Sequence, residues 1–357
     1  MSNKVSQFKP TFLVYPGEIL KDSLDTLSMT QEEFAIRTGI SKTEISDIIK
    51  GKRNITIDMA LKFEPVLGLQ AQFWNNLQTN YTTHKKRIEY DKGLQDDFGI
   101  LGKIPYNNIA KYGLVHPTRD RGQKVKNLRS LIGLNSLRDI DKLPMYAHAR
   151  KSNVTTNYIT FVVWVALVEQ QAQKVDLPML DASRLSTKLD DIRLLTLEKP
   201  EVFEPKLKSI LQDCGIAFVV IPSFQSRTHG AVKKVGENAV IAVTDLQKYS
   251  DQFWFTIFHE IGHIVNGDLA KPTFLSADNM KGNDMMEGKA NRFAQNQLLP
   301  SFDVFKRANN FGKAAIIEYA QREKILPSIV VGRLQYEKLI AWSHCNELRS
   351  QYTIVPH

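Results

Sequence analysis

The residues with the clearest chemical potential lie in "FHEIGHIVNGD", Phe258 to Asp268. His259 and His263 are four apart, so on a helix they share one face and both rings can reach one ion. Zinc takes histidine nitrogen at about 2.0–2.1 Å in a tetrahedral set, and a catalytic site keeps one of the four places open. Glu260 falls roughly 100° round the helix from His259, beside the ion, where a general base acts on water. A third ligand is needed. The segment "MEGKANRFAQNQLLP" predicts a helix starting near Asp284 or Met285, with Glu287 and Asn291 one turn apart and Phe293, Ala294 and Leu298 toward the core. Glu287 is the expected third ligand, and Asn291 the residue that orients a ligand histidine. Asp268, Asp278 and Asp284 compete, but they sit in the intervening loop.

A second group of residues lies near the start. "TQEEFAIRTGISKTEISDIIKGKRNIT" spaces two short helices about Gly39. Thr30 with Glu33, and Ser41 with Glu44, have the spacing of capping boxes, and Gly39 and Gly51 mark the helix ends. Ala35 is small enough for close packing, and Ile40, Ile45 and Ile48 supply a core. The second helix then exposes Lys42, Thr43, Ser46 and Lys50, with Gln31 at the head of the first. Hydroxyls, an amide and amines suit a DNA groove, and Lys52 and Arg53 suit phosphates. A plain helical bundle with a solvated face has the same pattern. Net charge over this part is small, 12 basic against 10 acidic side chains in residues 1–90.

Resemblance separates the two readings. "YPGEILKDSL" through "ALKFEPVLGLQAQFWNNLQTNY" is similar to XRE-type helix-turn-helix domains, and most closely to HigA-like antitoxins, over about residues 14–88. "FTIFHEIGHIVNGD" followed by "EGKANRFAQNQLLP" resembles the ImmA/IrrE family of zinc metallopeptidases over roughly 205–300. That likeness implies a gluzincin-like site, one Zn²⁺ per chain, with His259, His263 and Glu287 as ligands and Glu260 as base. The family often has a second acid two residues after the ligand glutamate. Lys289 stands there, which favours Glu287.

The elements that must position these groups can be read coarsely. Helices are expected from Pro16 to about Leu27, after Thr30, Ser41 and Thr56, and through "AQFWNNLQTNY". Residues 145–212 read as helical, with breaks near Pro178 and "LEKPEVFEP". Short β-branched runs, Gly215 to Pro222 and Ala239 to Thr244, predict strands, with "HGAVKK" pairing between them. Long helices follow at 252–266 and 284–298, and more over 302–345. The expected fold class is α+β and mostly helical: an all-α helix-turn-helix bundle (14–88), a basic helical connector (89–205), an α+β metallopeptidase domain with a small antiparallel sheet (206–300) and a helical extension (301–357).

Bulk properties set the remaining bounds. The 357 residues are 43% hydrophobic and 24% charged, ordinary for a globular protein. The longest apolar run, "FVVWVALV" from Phe161, is far short of the roughly 20 residues that span a bilayer, so it reads as a core helix. No apolar leader opens the sequence, and Cys214 and Cys345 form no motif, so a cytoplasmic protein with buried thiols is expected. Net charge is +9. Residues 91–150 hold the largest excess, 11 basic to 6 acidic, which favours a polyanionic partner.

Together these readings predict a dimeric regulator on a palindromic double-stranded operator. Its zinc domain would hydrolyse a protein such as a repressor. The alternative is an antitoxin-like repressor with a toxin as partner and a structural or sensory zinc domain. No oxyanion donor is marked beyond His229 and Arg292.

Overall fold

The computed structural model describes residues 14–143, 158–224, 228–244, 246, 249–270 and 284–352, and the chain divides into two compact units that meet at Gln95 and Asp96.

The first unit is five helices: α1 (Pro16–Thr26), α2 (Gln31–Thr38), α3 (Lys42–Ile49), α4 (Ile57–Leu67) and α5 (Ala71–Lys92). Local chemistry accounts for their ends. The Thr30 and Thr56 hydroxyls accept from the backbone N–H groups of Glu33 and Met59, at 3.1 and 3.2 Å, so orphan donors at the helix starts are satisfied. Ser41 and Glu44 form a reciprocal capping box. The expected box at Thr30 closes on one side only, because the Glu33 carboxylate is drawn to Arg37 one turn on, at 2.6 Å. Gly39 ends α2 at φ 65°, a left-handed conformation that side chains with a Cβ resist. Ile40, Ile45 and Ile48 are buried, together with Leu20, Phe34, Phe63 and Trp74, and Ala35 packs at the margin of this core. The fifth helix runs eleven residues beyond the segment read from the sequence, to Lys92.

In the second unit, residues 96–143 form short helices, among them α6 (Phe98–Leu101), α7 (Tyr106–Lys111) and α8 (Arg121–Ile132). They are knit by Asp97, whose buried carboxylate accepts from Arg129 Nε at 2.7 Å, Leu137 N at 2.8 Å and Ser136 Oγ at 2.8 Å. Next come α9 (Tyr158–Ala172), α10 (Ala182–Thr187), α11 (Leu189–Leu194) and α12 (Pro200–Gln212). The break expected at "LEKPEVFEP" falls at Glu198 and Lys199, and the rest of the segment opens α12. Pro200 takes the first helical turn, where no N–H is needed, and Pro205 is accommodated inside.

Three strands follow: β1 (Ile216–Val220), β2 (Gly230–Val235) and β3 (Asn238–Val243). The sheet is mixed, where a wholly antiparallel one was expected. A two-residue turn at Gly236 and Glu237 makes β2 and β3 antiparallel, with Gly230 opposite Val243. Strand β3, buried at every position after Asn238, then sits between the other two and pairs parallel with β1, Ile216 opposite Ala239. Alternate residues Ile216, Phe218, Val220, Val232, Ile241 and Val243 enter the main core. The intervening positions face the other side, where the apolar α9 lies on β1 and β3 and Trp164 Nε1 donates to Ile221 O at 3.4 Å.

That core is completed by α13 (Ser250–Val265), α14 (Asp284–Leu298), α15 (Phe302–Ala308), α16 (Lys313–Glu323) and α17 (Pro327–Tyr336). Cys214 and Cys345 are buried free thiols. No described helix is long and apolar enough to cross a membrane.

Candidate metal centre and nucleic-acid interface

Helix α13 is anchored at its start by residues far along the chain. Ser250 N donates to Ser350 O at 3.0 Å, and the Ser250 and Ser328 hydroxyls share a hydrogen bond of 2.7 Å. Arg349 grips the buried Asp251 carboxylate through both oxygens, at 2.8 and 3.0 Å. Trp254 Nε1 donates to the Tyr352 hydroxyl at 3.1 Å. These contacts take the place of a side-chain cap, and the apolar residues that follow bury the helix through Ile264.

Packing against α14 is close because the residues at the crossing are small. A Cβ added to Gly262 would stand 3.0 Å from Phe293 Cδ1 and 3.2 Å from Ala290 Cα, and Ala290 and Ala294 are fully buried. This approach sets Glu287 against the two histidines. His259 Nε2 and His263 Nε2 are 3.1 Å apart. Glu287 Oε2 lies 3.1 Å from His259 Nε2, and Glu287 Oε1 lies 3.5 Å from His263 Nε2. The three donor groups thus form a small triangle, buried except at Glu287.

The outer nitrogens are also engaged. His259 Nδ1 lies 2.9 Å from Asn291 Oδ1, and His263 Nδ1 lies 2.9 Å from Asp268 Oδ2. With the amide oriented so that its oxygen faces the ring, both partners accept a proton from Nδ1, which leaves each Nε2 pointing inward to hold either a proton or an ion. Burial alone would raise the Glu287 carboxyl, but the adjoining His259 and His263 bring it down to about 2. Burial opposes charge on His263, yet Glu287 and Asp268 raise its pKa.

This donor set fits a zinc ion. Two inward lone pairs at 3.1 Å repel unless a cation or a proton lies between them. Ligands about 2.0–2.1 Å from one tetrahedral ion stand about 3.3–3.4 Å from one another, close to the 3.1, 3.1 and 3.5 Å edges found here.

Glu260 is fully buried on the same helix, and its Oε1 would lie 3.4 Å from a Cβ placed on Gly230. The bare glycine backbone at the start of β2 therefore passes close to this carboxylate. Asp268 is not a rival ligand in this arrangement, since its carboxylate faces the outer nitrogen of His263. Its place one turn beyond His263 was the available signal, and the sequence reading missed it. Asp278 lies outside the described residues, as does the Asp284 side chain. Lys289 and Arg292 are exposed, and His229 is half-buried just ahead of β2.

In the first unit, Lys42, Thr43, Lys50, Lys52 and Arg53 are exposed, and Gln31 and Ser46 are half-buried. Lys42 pairs with Glu32 at 2.9 Å and Arg53 with Glu44 at 2.8 Å. Exposed pairs of this kind contribute about 0.2–1 kcal/mol and yield readily to a phosphate.

Comparison with known proteins divides the chain in the same way. Residues 20–74 match the helix-turn-helix family model, and residues 212–330 match the IrrE N-terminal-like domain. Among curated relatives, the uncharacterized HTH-type transcriptional regulator YddM of Escherichia coli is 37% identical over 67 residues, 19% of this chain and 71% of the relative. Virulence-associated protein I of Dichelobacter nodosus is 35% identical over 80 residues, 22% of this chain and 72% of that protein. Among solved structures, a HigA-family addiction module antidote protein from Coxiella burnetii is 30% identical, with 24% of this chain and 94% of that one covered and a TM-score of 0.23. The chain therefore belongs to the XRE-type helix-turn-helix regulators and carries an IrrE N-terminal-like peptidase-family domain behind that unit.

Proposed function

We propose that this protein is a DNA-binding regulator whose second unit is a zinc-dependent peptidase acting on a protein partner such as a repressor. The observation that carries the peptidase reading is the buried triangle of His259, His263 and Glu287, with its edges near those of a tetrahedral zinc set. These three residues would hold the ion. Bound there, zinc supplies Lewis acidity, which acidifies water and polarises a carbonyl.

The remaining chemistry belongs to the chain's own groups. Glu260, which is no member of the triangle, accepts the proton of the attacking water and returns it to the leaving amine. Asn291 and Asp268 keep the histidine rings turned so that their Nε2 atoms serve as donors. Among the described residues β2 pairs only with β3. Its outer edge supports binding of an extended substrate backbone by strand addition, beside Glu260.

For the first unit, the helix-turn-helix match and the likeness to the HTH-type transcriptional regulator YddM support a duplex operator as partner. Lys42, Thr43 and Ser46 would meet bases, with Gln31 and Lys50 at the groove wall and Lys52 and Arg53 on phosphates. One recognition helix reads few base pairs, so a palindromic site and a homodimer are proposed. Ile57 and Leu61, one turn apart on α4 and 70% and 58% exposed, are available as a subunit contact.

The test is chelator-sensitive cleavage. Purified protein is incubated with cell extract with and without chelator, and new peptide termini are mapped by mass spectrometry. Glu260→Gln is expected to retain one zinc per chain and lose cleavage. Wild-type cleavage by this variant would refute the assigned base. Zinc-loaded wild-type protein that cleaves nothing would instead favour the antitoxin-like alternative, with a structural or sensory zinc domain.

A further inference from the structure

The strongest charge asymmetry of the molecule lies outside both sites already described. Between residues 98 and 128 the chain carries Lys103, Lys111, Arg119, Arg121, Lys124 and Lys126, and the only carboxylate is Asp120. Asp120 is committed elsewhere, since its Oδ1 caps α8 by accepting from Gln123 N at 2.5 Å. Among the described residues, Lys103, Lys111, Arg119 and Arg121 form no ion pair with a carboxylate.

The fold gathers four of the six cations, Lys111, Arg119, Arg121 and Lys124, about α7. On one side Lys111 and Arg119 line a cleft of about 460 Å³ with Asn107 and Thr118. On the other, Arg121 and Lys124 line a second cleft of about 460 Å³ with Asn107 and Asn108. Asn107 is a wall of both, so the clefts adjoin and form one face. Two heads are already placed. The Arg121 guanidinium lies 4.3 Å over the Phe98 ring, and Lys124 Nζ lies 5.3 Å over the Tyr106 ring and donates to Asn107 Oδ1 at 2.9 Å. Ordering such side chains in advance lowers the entropy lost on binding.

We propose that this face is a second DNA contact, gripping the phosphate backbone of duplex DNA without reading its sequence. Point cations interleaved with amides and a hydroxyl match evenly spaced phosphates. The occupant follows from charge complementarity and from covalent linkage. The first unit is of a DNA-binding family, so duplex DNA held by it stays at high effective concentration for the second. The inference does not depend on the peptidase reading.

The experiment measures binding of the full chain to a random-sequence duplex at several salt concentrations, using fluorescence anisotropy. The variant is Lys111→Gln/Arg119→Gln/Arg121→Gln/Lys124→Gln, made in wild type and in Arg53→Ala. Each lost phosphate contact flattens the slope of log K against log salt by about 0.9, so four lost contacts flatten it by about 3.6. The expected result is that loss in both backgrounds, with far-ultraviolet circular dichroism unchanged. Arg119→Gln alone, a single exposed change, is expected to flatten the slope by about 0.9 and guards against a misfolded quadruple variant. An unchanged slope in the single and quadruple variants overturns the proposal. So does poly-glutamate that competes as well as an equal charge of duplex DNA, since the face would then be a general acceptor of acidic protein.

Discussion

Replacing Gly262 with alanine sets two effects of similar size against each other at the crossing of α13 and α14. Alanine in a helix interior is worth about 1 kcal/mol over glycine. Against this, the new Cβ would lie 3.0 Å from Phe293 Cδ1, 3.2 Å from Ala290 Cα and 3.3 Å from Ala290 O. The half-buried Phe293 ring can turn away. The Ala290 backbone can move only with the whole of α14. Overpacking of this kind costs about 1–3 kcal/mol, so the net change is a loss of up to about 2 kcal/mol. The larger consequence falls on the triangle. Glu287 is less than one turn before Ala290, so a displacement of a few tenths of an ångström carries its carboxylate away from both histidines. Metal–ligand distances tolerate only about ±0.2 Å, so zinc affinity is expected to fall roughly tenfold, about 1.4 kcal/mol. A chromogenic chelator in competition with the protein reads the affinity, and thermal unfolding of the chelated protein reads the packing term. A variant that is more stable by about 1 kcal/mol and binds zinc as wild type does would refute the reasoning, because the helices would then have room to spare.

Other outcomes follow from contacts around the two sites. Asn291→Ala removes the 2.9 Å partner of His259 Nδ1 and is expected to weaken zinc binding about 10–100-fold in the same titration, with the fold intact. Arg349→Met leaves Asp251 buried without its cation, which costs about 3–5 kcal/mol at neutral pH by urea unfolding. Burial already pushes the Asp251 carboxyl up against the pull of Arg349, so in the variant this loss should shrink as falling pH protonates the carboxyl. Asp97 behaves in the opposite sense. Burial would raise it, but the Leu137 N–H, Arg129 and Ser136 hold it below the usual carboxylate range. Its contribution is therefore complete above about pH 4 and is lost as pH falls through the lower folded value. The stability gap between wild type and Asp97→Asn should be constant from pH 5 to 8 and close below pH 4, and a gap that widens on acidification would contradict this sign.

What could be read in advance was mostly local. The capping residues before α2, α3 and α4, the left-handed Gly39 and the span of α14 all follow from spacing within a few residues. The i, i+4 histidines and a carboxylate on the next long helix are likewise a short-range pattern, and the structure brings their donor atoms together. The order of the sheet was not legible, because periodicity marks strands but not which one is central. The capping box at Thr30 failed for a related reason: spacing shows that Glu33 can reach back, not that Arg37 holds it. Asp268 was read as a competitor because its distance from the outer nitrogen of His263 depends on how the helix ends. The anchoring of α13 by Arg349 and Ser350 joins positions about a hundred residues apart, and no local pattern records it. Residues 96–143, read as part of a connector, owe their order to the buried Asp97, whose partners lie 32 to 40 residues away.

The tie between the start of α13 and residues 349–352 also sets an order in time. A chain grows at about 5–20 residues per second, and domains fold as they are completed. The first unit has all its internal partners once residue 95 is made. Helix α13 lacks the Arg349 and Ser350 partners of its first turn until 255 residues later, a delay of roughly 13–50 s. In each newly made molecule the helix-turn-helix unit should therefore be folded before α13, which carries His259 and His263, is fully held.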